Sequence, residues 1–128
     1  MVLIILDTNF ILIPMMFNVD IFSEIERICI FDYELSIIDR SLDELKNIKT
    51  KEKRFIKPTL ELIKKKGIKI IKTKDGKNVD EIIIETAKEK KAVVATQDAL
   101  LRKSLKKDKI PVIYMRQKKY LELSKNVL

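Results

Sequence analysis

The sequence contains no histidine among its 128 residues. This absence excludes an imidazole general base, Ser-His-Asp and Cys-His nucleophile systems and the common histidine-containing zinc sites. The single cysteine, Cys29, excludes internal disulfides and cysteine-rich metal sites, which suits a reducing cytoplasm. Because Cys29 lies near Ile25 and Ile28 in an apolar stretch with helical spacing, we interpret it as a core residue.

Glycine and proline are scarce, with two and three residues, and no stretch is typical of a linker, a repeat or low complexity. The apolar run over residues 2–17 lacks a positive start, contains Asp7 and is broken by Pro14. It therefore predicts neither a signal peptide nor a membrane span. A chain of 128 residues is the usual size of one domain, so we predict a single domain over residues 1–128.

Charge is abundant and unevenly distributed. The chain carries 27 basic and 19 acidic residues, a net charge of +8 that favours polyanionic partners such as nucleic acid. Residues 1–45 hold 2 basic and 9 acidic side chains, whereas residues 46–74 hold 12 basic and 2 acidic ones. Solvated helix faces explain part of this pattern, especially the lysines at 64–66, where cations at a helix end also complement the helix dipole.

Short apolar runs recur along the chain, and their hydrophobicity is largely continuous rather than alternating. Continuous runs are typical of strands buried on both faces of a parallel sheet. The segments between them have the spacing of amphipathic helices. We therefore predict a three-layer α/β/α sandwich around a mostly parallel sheet. The predicted strands cover residues 2–6, 35–38, 68–71, 92–95 and 111–115.

Two acidic residues follow predicted strands. Asp7 comes directly after the run 2–6, and Asp98 follows the run 92–95. Open α/β sheets place their ligand sites at the carboxyl ends of such strands. Either residue also fits the simpler role of capping the next helix, as does Thr96.

Two further acids are candidates for the same edge of the sheet. Asp80 shares the helical face of Ile83 and Ala87, so we predict that it points toward the sheet. Glu44 lies in the helix that follows the run 35–38. Asp39 and Asp43 lie in the same segment and compete with Glu44 for the role of site residue. Carboxylates gathered without histidine or cysteine select hard cations such as Mg²⁺ or Mn²⁺. Two such ions can activate water and stabilise the leaving oxygen of a phosphodiester, which is the two-metal route to nucleic-acid hydrolysis.

An ordered set of short motifs gives the chain its resemblance to a known family. The motifs are Ile4-Ile5-Leu6-Asp7-Thr8-Asn9, Asp43-Glu44-Leu45, Asp80 and Ala95-Thr96-Gln97-Asp98. Together they resemble the PIN domain, a family of metal-dependent ribonucleases. The closing stretch over 110–120 is similar to the branch related to ribosomal RNA processing nucleases, and the VapC-type toxins are the other large branch.

The resemblance implies a parallel sheet of about five strands flanked by helices. It also implies an acidic cluster of Asp7, Glu44, Asp80 and Asp98 that holds Mg²⁺ or Mn²⁺, with Thr8, Asn9 and Thr96 as supporting residues. Some members carry a further acid shortly after the last one, whereas Ala99 follows Asp98 here. We therefore expect one firmly bound ion and leave a second one open.

The function that follows is a metal-dependent endoribonuclease, acting as a toxin component or in RNA processing. An antitoxin or a ribosome-assembly protein would be the corresponding protein partner. The RNA-binding candidates are basic residues of two segments. They are Lys46, Lys49, Lys51, Lys53, Arg54, Arg102, Lys103, Lys106 and Lys107.

Alternatives remain at this stage. One is a catalytically silent RNA-binding module with the same fold. Another is a receiver-like or dehalogenase-like domain with a phosphorylated aspartate, which leaves Asp80 and Asp98 unexplained. The segment 10–17 is more apolar than one helix face needs, which predicts a homodimer unless the segment is buried inside the monomer.

Overall fold

A computed structural model of the chain describes residues 1–74, 77–125 and 127. Its strands form one sheet whose spatial order is β3-β2-β1-β4-β5-β6. All neighbouring pairs are parallel except β5 and β6, which are antiparallel. The strands are β1 (Val2–Leu6), β2 (Tyr33–Ile38), β3 (Lys69–Ile71), β4 (Val93–Ala95), β5 (Val112–Arg116) and β6 (Tyr120–Leu123).

The helices alternate with the strands, as the apolar spacing predicts. They are α1 (Thr8–Ile11), α2 (Ile13–Phe17), α3 (Ile21–Ile28), α4 (Asp39–Lys46), α5 (Ile56–Lys65), α6 (Val79–Lys90) and α7 (Ala99–Lys107). A 3-10 helix over Lys51–Phe55 precedes α5. Among the described residues, no helix is both long and apolar enough to cross a bilayer.

The two faces of the sheet are covered by separate apolar clusters. In β1, Ile4 and Leu6 pack into the cluster that includes residues of α1, α3 and α5, whereas Ile5 packs against residues of α6 and α7. All three side chains are fully buried. Burial on both faces explains why the strand is continuously hydrophobic, and it confirms the three-layer α/β/α sandwich.

The sheet has six strands rather than the expected five or so. Strand β6 pairs antiparallel with β5, with Arg116 opposite Tyr120. The intervening turn places Gln117 and Lys118 at positive φ, 54° and 52°. Such turns are signalled in sequence by glycine or asparagine. Neither residue is present in this turn, so the hairpin and its second strand were missed.

The apolar segment 10–17 is largely buried within the monomer. Phe10, Ile11 and Ile13 are 0% exposed, although Met16 is 37% exposed. This burial accounts for most of the apolar excess, and the homodimer stays a prediction that light scattering would test. Cys29 is buried directly after α3, and burial raises the pKa of its thiol to about 11. The thiol therefore stays protonated, as expected of a core residue.

Candidate active site

The strand order places a crevice between β1 and β4. From β1 the chain proceeds to β2 on one side of the sheet, whereas β4 leads to β5 on the other. The connections after the two strands therefore diverge, which is the position where open α/β sheets bind ligands. Asp7 follows β1 at this point, and its N–H donates to the Ala95 carbonyl at the end of β4, at 2.9 Å.

Asp7 is the buried centre of the site. It is 5% exposed, and its Oδ1 accepts from the Thr8 N–H at 2.8 Å as the N-cap of α1. Its Oδ2 accepts from the Thr96 hydroxyl, also at 2.8 Å. Burial raises the pKa of Asp7 to about 6 against the opposing effect of these hydrogen bonds, and the charges of Glu44 and Asp80 add to the rise.

The Thr96 hydroxyl joins Asp7 to the start of α7. It donates to Asp7 and accepts from the Asp98 N–H at 3.1 Å. Asp98 caps α7, with its Oδ1 accepting from the N–H groups of Leu100 and Leu101 at 2.9 and 3.2 Å. The capping interpretation is thus correct for both Asp7 and Asp98. Capping fixes these carboxylates at the strand ends and still leaves acceptor capacity on their oxygens.

Amide and hydroxyl groups extend this network to neighbouring elements. The Asn9 Oδ1 accepts from the Gln97 N–H at 3.1 Å, and the Gln97 Oε1 accepts from the Met115 N–H of β5 at 2.5 Å. The Thr8 hydroxyl donates to the Ser41 carbonyl of α4 at 3.1 Å. Thr8, Asn9 and Thr96 therefore lie where supporting residues were expected. Gln97 and Ser41 were missed, although Gln97 sits inside the motif that carries Asp98.

Glu44 and Asp80 act electrostatically on the carboxyl groups of this edge. The pKa of Asp80 is raised by partial burial and then by the negative charges of Asp98 and Glu44. Together with the influence of Glu44 and Asp80 on Asp7, this places all four predicted acids in one electrostatic neighbourhood. Asp80 is more exposed than buried, and it is not turned into the sheet, because it stands in the first turn of α6 after the cap Asn78.

The competing acids of α4 have other surroundings. Asp39 is bound to the chain after β3, because its carboxylate accepts from the Thr73 N–H at 3.1 Å and from the Thr73 hydroxyl at 2.5 Å. Burial opposes ionisation of Asp39, but the hydrogen bonds from Thr73 and Arg40 outweigh it and lower its pKa. Asp43 is exposed on α4. Of the three candidates, only Glu44 is among the charges that act on Asp7.

The chemistry of this acidic edge, defined as Asp7, Glu44, Asp80 and Asp98, suits a hard divalent cation. Its donors are carboxylate oxygens, and its central carboxyl is buried beside like charges that a cation would offset. No three acidic side chains in the described part of the chain stand close enough to form a ready-made metal site. Glu44 and Asp80 are exposed, and exposed side chains exchange rotamers within nanoseconds.

The predicted RNA-binding residues fall into two groups. Arg102, Lys103 and Lys106 line a cleft beside α7, whereas Lys107 is exposed outside its lining. The other group ends α4, the helix that carries Glu44, or follows it in the chain. It comprises Lys46, Lys49, Lys51, Lys53 and Arg54, all of them exposed.

The model of the family described as "PIN like domain" matches residues 4–118. The chain belongs to this family. The match confirms the resemblance carried by the four acidic motifs. It also removes the ground for the receiver-like alternative, which left Asp80 and Asp98 without a role.

Relatives of this PIN-like domain include a curated ribonuclease. Ribonuclease VapC4 of Methanocaldococcus jannaschii is 34% identical over 124 residues, covering 91% of this chain and 92% of the relative. Among solved structures, the PIN domain endonuclease Utp24 superposes with a TM-score of 0.81 at 21% identity, over 97% of this chain and 92% of that one. A domain of a functionally unknown M. jannaschii protein superposes with a TM-score of 0.58 at 19% identity, over 91% of this chain and 92% of that one. The two structures support the fold alone.

Proposed function

We propose that the protein is a metal-dependent endoribonuclease that hydrolyses RNA phosphodiester bonds. The observation that carries the proposal is the Asp7–Thr96–Asp98 connection at the crevice, which holds a buried carboxyl whose pKa is raised to about 6 by burial and by the charges of Glu44 and Asp80. A buried acid among other acids is costly in stability, which is typical of functional sites. The curated relative named as a ribonuclease points to the same chemistry.

The acidic edge would hold Mg²⁺ or Mn²⁺ through Asp7, Glu44, Asp80 and Asp98. When bound, such a cation activates water and stabilises negative charge on the phosphate oxygens. Asp7 is the most firmly held of the four side chains, because it is buried and both of its carboxylate oxygens accept hydrogen bonds. Each oxygen still has a free lone pair with which it could bind a cation. We propose one firmly held ion and leave a second open, because Ala99 and Leu100 follow Asp98.

The protein's own residues perform the positioning. Thr96 orients Asp7 and the first turn of α7, and Asn9 fixes the backbone at Gln97 between them. Thr8 connects this centre to α4, the helix that carries Glu44. The basic residues that line the cleft beside α7 and those that end or follow α4 would bind the RNA backbone. We further propose RNA as the substrate whichever biological role applies, toxin or RNA processing.

The test is RNA cleavage with and without divalent cations. We expect cleavage in Mn²⁺ or Mg²⁺ that a chelator abolishes, and that Asp98→Asn abolishes while the protein stays folded, because asparagine caps helices as well as aspartate. Asp108→Asn is the matched control, since Asp108 is an exposed residue at the opposite end of the same helix. Cleavage that persists in chelator, or in Asp98→Asn, would contradict the proposal.

A catalytically silent RNA-binding module is the second candidate. The observation favouring it is that the described carboxylates are not grouped for one ion in advance. The same assay separates the two candidates. RNA binding by the wild-type protein without any metal-dependent cleavage would support the silent module, whereas cleavage supports the nuclease.

A further inference from the structure

A cleft of about 730 Å³ runs between α7 and β5 and ends beneath the chain that follows β6. We call it the basic cleft, and its lining contains no carboxylate among the residues described. The ion pairs found in residues 1–74, 77–125 and 127 involve none of its cations. The cations of the basic cleft are Arg102, Lys103, Lys106, Lys109 and Lys125.

Arg102 is held in a defined orientation at the end of the cleft near the acidic edge. Its guanidinium lies 4.0 Å from the centroid of the Tyr114 ring. The Tyr114 hydroxyl in turn donates to the Glu122 carboxylate at 3.0 Å, and Glu122 pairs with Arg116 at 3.4 Å. Stacking on an aromatic ring leaves the in-plane N–H groups of an arginine available for a phosphate. Arg102 is thus ordered before any ligand arrives.

The far end of the cleft depends on the sixth strand. Ser124 continues the pairing with β5, since its N–H donates to the Val112 carbonyl at 2.8 Å and its hydroxyl accepts from the Val112 N–H at 2.9 Å. The next residue, Lys125, lines the cleft and donates to the Lys109 carbonyl. The cleft therefore has cations along its length and at both ends.

The basic cleft begins one residue from the acidic edge. Ala99, which follows Asp98, belongs to its lining, and the same face of α7 continues through Arg102, Lys103 and Lys106. A helix of nine residues is about 13.5 Å long at 1.5 Å per residue. That length spans at most about four nucleotides, the number reached at the 3.4 Å spacing of stacked bases. A volume of 730 Å³ is in the range of small-ligand pockets, which is less than a duplex of the same length occupies.

We propose that the basic cleft is the track for single-stranded RNA on one side of the scissile bond, with Arg102 as the first phosphate contact. The track holds the backbone of up to about four nucleotides. This inference rests on the proposed function for the position of the scissile bond. The binding of RNA in the cleft needs no metal, so the two can be tested apart.

The experiment measures binding of a fluorescent single-stranded RNA of about twelve nucleotides in the presence of chelator, as a function of salt. The test variant is Arg102→Ala combined with Lys106→Ala. The matched control is Lys64→Ala combined with Lys65→Ala, two exposed lysines at the end of α5 that lie outside the cleft. We expect the test variant to bind about tenfold more weakly, with the slope of log affinity against log salt reduced by about 1.4.

A second pair of variants isolates the orientation of Arg102. Tyr114→Phe keeps the ring beneath the guanidinium and should bind RNA nearly as the wild type does, whereas Tyr114→Leu should weaken binding severalfold.

Two results would overturn the inference. One is a salt slope in the Arg102/Lys106 variant that is unchanged from that of the wild type, and the other is a wild type that binds duplex as well as single-stranded RNA. Normal cleavage in those outcomes would leave the nuclease proposal standing. Loss of metal-dependent cleavage with cleft-dependent RNA binding intact would refute the nuclease proposal only.

Discussion

At the acidic edge the central carboxylate is buried and hydrogen-bonded on both oxygens, whereas in the basic cleft four of the five cations are exposed lysines. The edge holds its charge at a fixed point, at a cost in stability. The cleft spreads its charge over long side chains and fixes only Arg102, by stacking on Tyr114. The difference matches two tasks, since a reaction centre needs exact placement and a polyanion track needs mainly positive potential.

The largest expected effect is on catalysis at the edge. Asp98→Asn should lower metal-dependent RNA cleavage by at least about a hundredfold while leaving metal-free RNA binding within about twofold of wild type. The Arg102/Lys106 variant should give the reverse pattern, with weaker RNA binding and a smaller loss of cleavage rate at saturating RNA. Cleavage rates at saturating RNA, together with RNA affinities in chelator, measure both. Equal losses in both quantities for both variants would remove the distinction between the two regions.

The next effect is on stability through Thr96. Thr96→Val removes a fully buried hydroxyl that serves both Asp7 and the Asp98 N–H, and should lower the free energy of unfolding by about 2–3 kcal/mol. Thr59→Val is the matched control, because Thr59 is equally buried and its hydroxyl has no hydrogen-bond partner in the described part of the chain. That control should be neutral or stabilising. Similar urea denaturation curves for the two variants would show that the hydrogen bonds of Thr96 add nothing to the free energy of unfolding.

A smaller effect, of opposite sign, is expected at Asp7. The folded-state pKa of about 6 lies above the ordinary value of 3.8, so Asp7 stabilises the fold below about pH 4 and that contribution is lost as pH rises through 6. Without metal at pH 7, Asp7→Asn should therefore raise the free energy of unfolding by about 1–3 kcal/mol. The gain should shrink as pH falls from 6 to 4, as thermal unfolding at several pH values would show. A clear loss of stability at pH 7 would make Asp7 a purely structural residue.

Bound metal should reverse the order of stability of the wild type and Asp7→Asn. Saturating Mn²⁺ stabilises whichever protein binds it, so the wild type should gain melting temperature and Asp7→Asn should gain little. Equal shifts in both proteins would place the ion away from Asp7.

The smallest effect concerns the strand that completes the basic cleft. Glu24 fastens β6 to α3, since its Oε1 accepts from the Leu121 N–H at 2.9 Å and pairs with Arg27. Glu24→Ala should cost about 1 kcal/mol and increase hydrogen exchange at Leu121. Because β6 leads to Lys125, RNA binding should weaken about twofold with Mn²⁺ affinity unchanged. A change in Mn²⁺ affinity instead would show that the two regions are mechanically coupled.

The parts predictable from sequence are those where one local signal determines the structure. The continuous run of β1 followed by Asp7 predicts both a buried strand and an acid at its end, and both are found. Strand β6 carried no such signal, because its turn uses Gln117 and Lys118 at positive φ. With β6 missed, the contribution of Lys125 to the cleft was missed too. The predicted orientation of Asp80 was wrong for another reason. Helical periodicity assigns Asp80 to the apolar face of α6, but in the first turn of this helix the side chain is exposed.

The most direct test of the central claim is a crystal soaked with Mn²⁺ and measured for anomalous scattering. The account predicts a peak at coordination distance from Asp7 and Asp98, with Glu44 and Asp80 turned toward it directly or through water. A fully occupied Mn²⁺ bound elsewhere on the protein, with this edge empty, would contradict the claim that these four acids form one cation site.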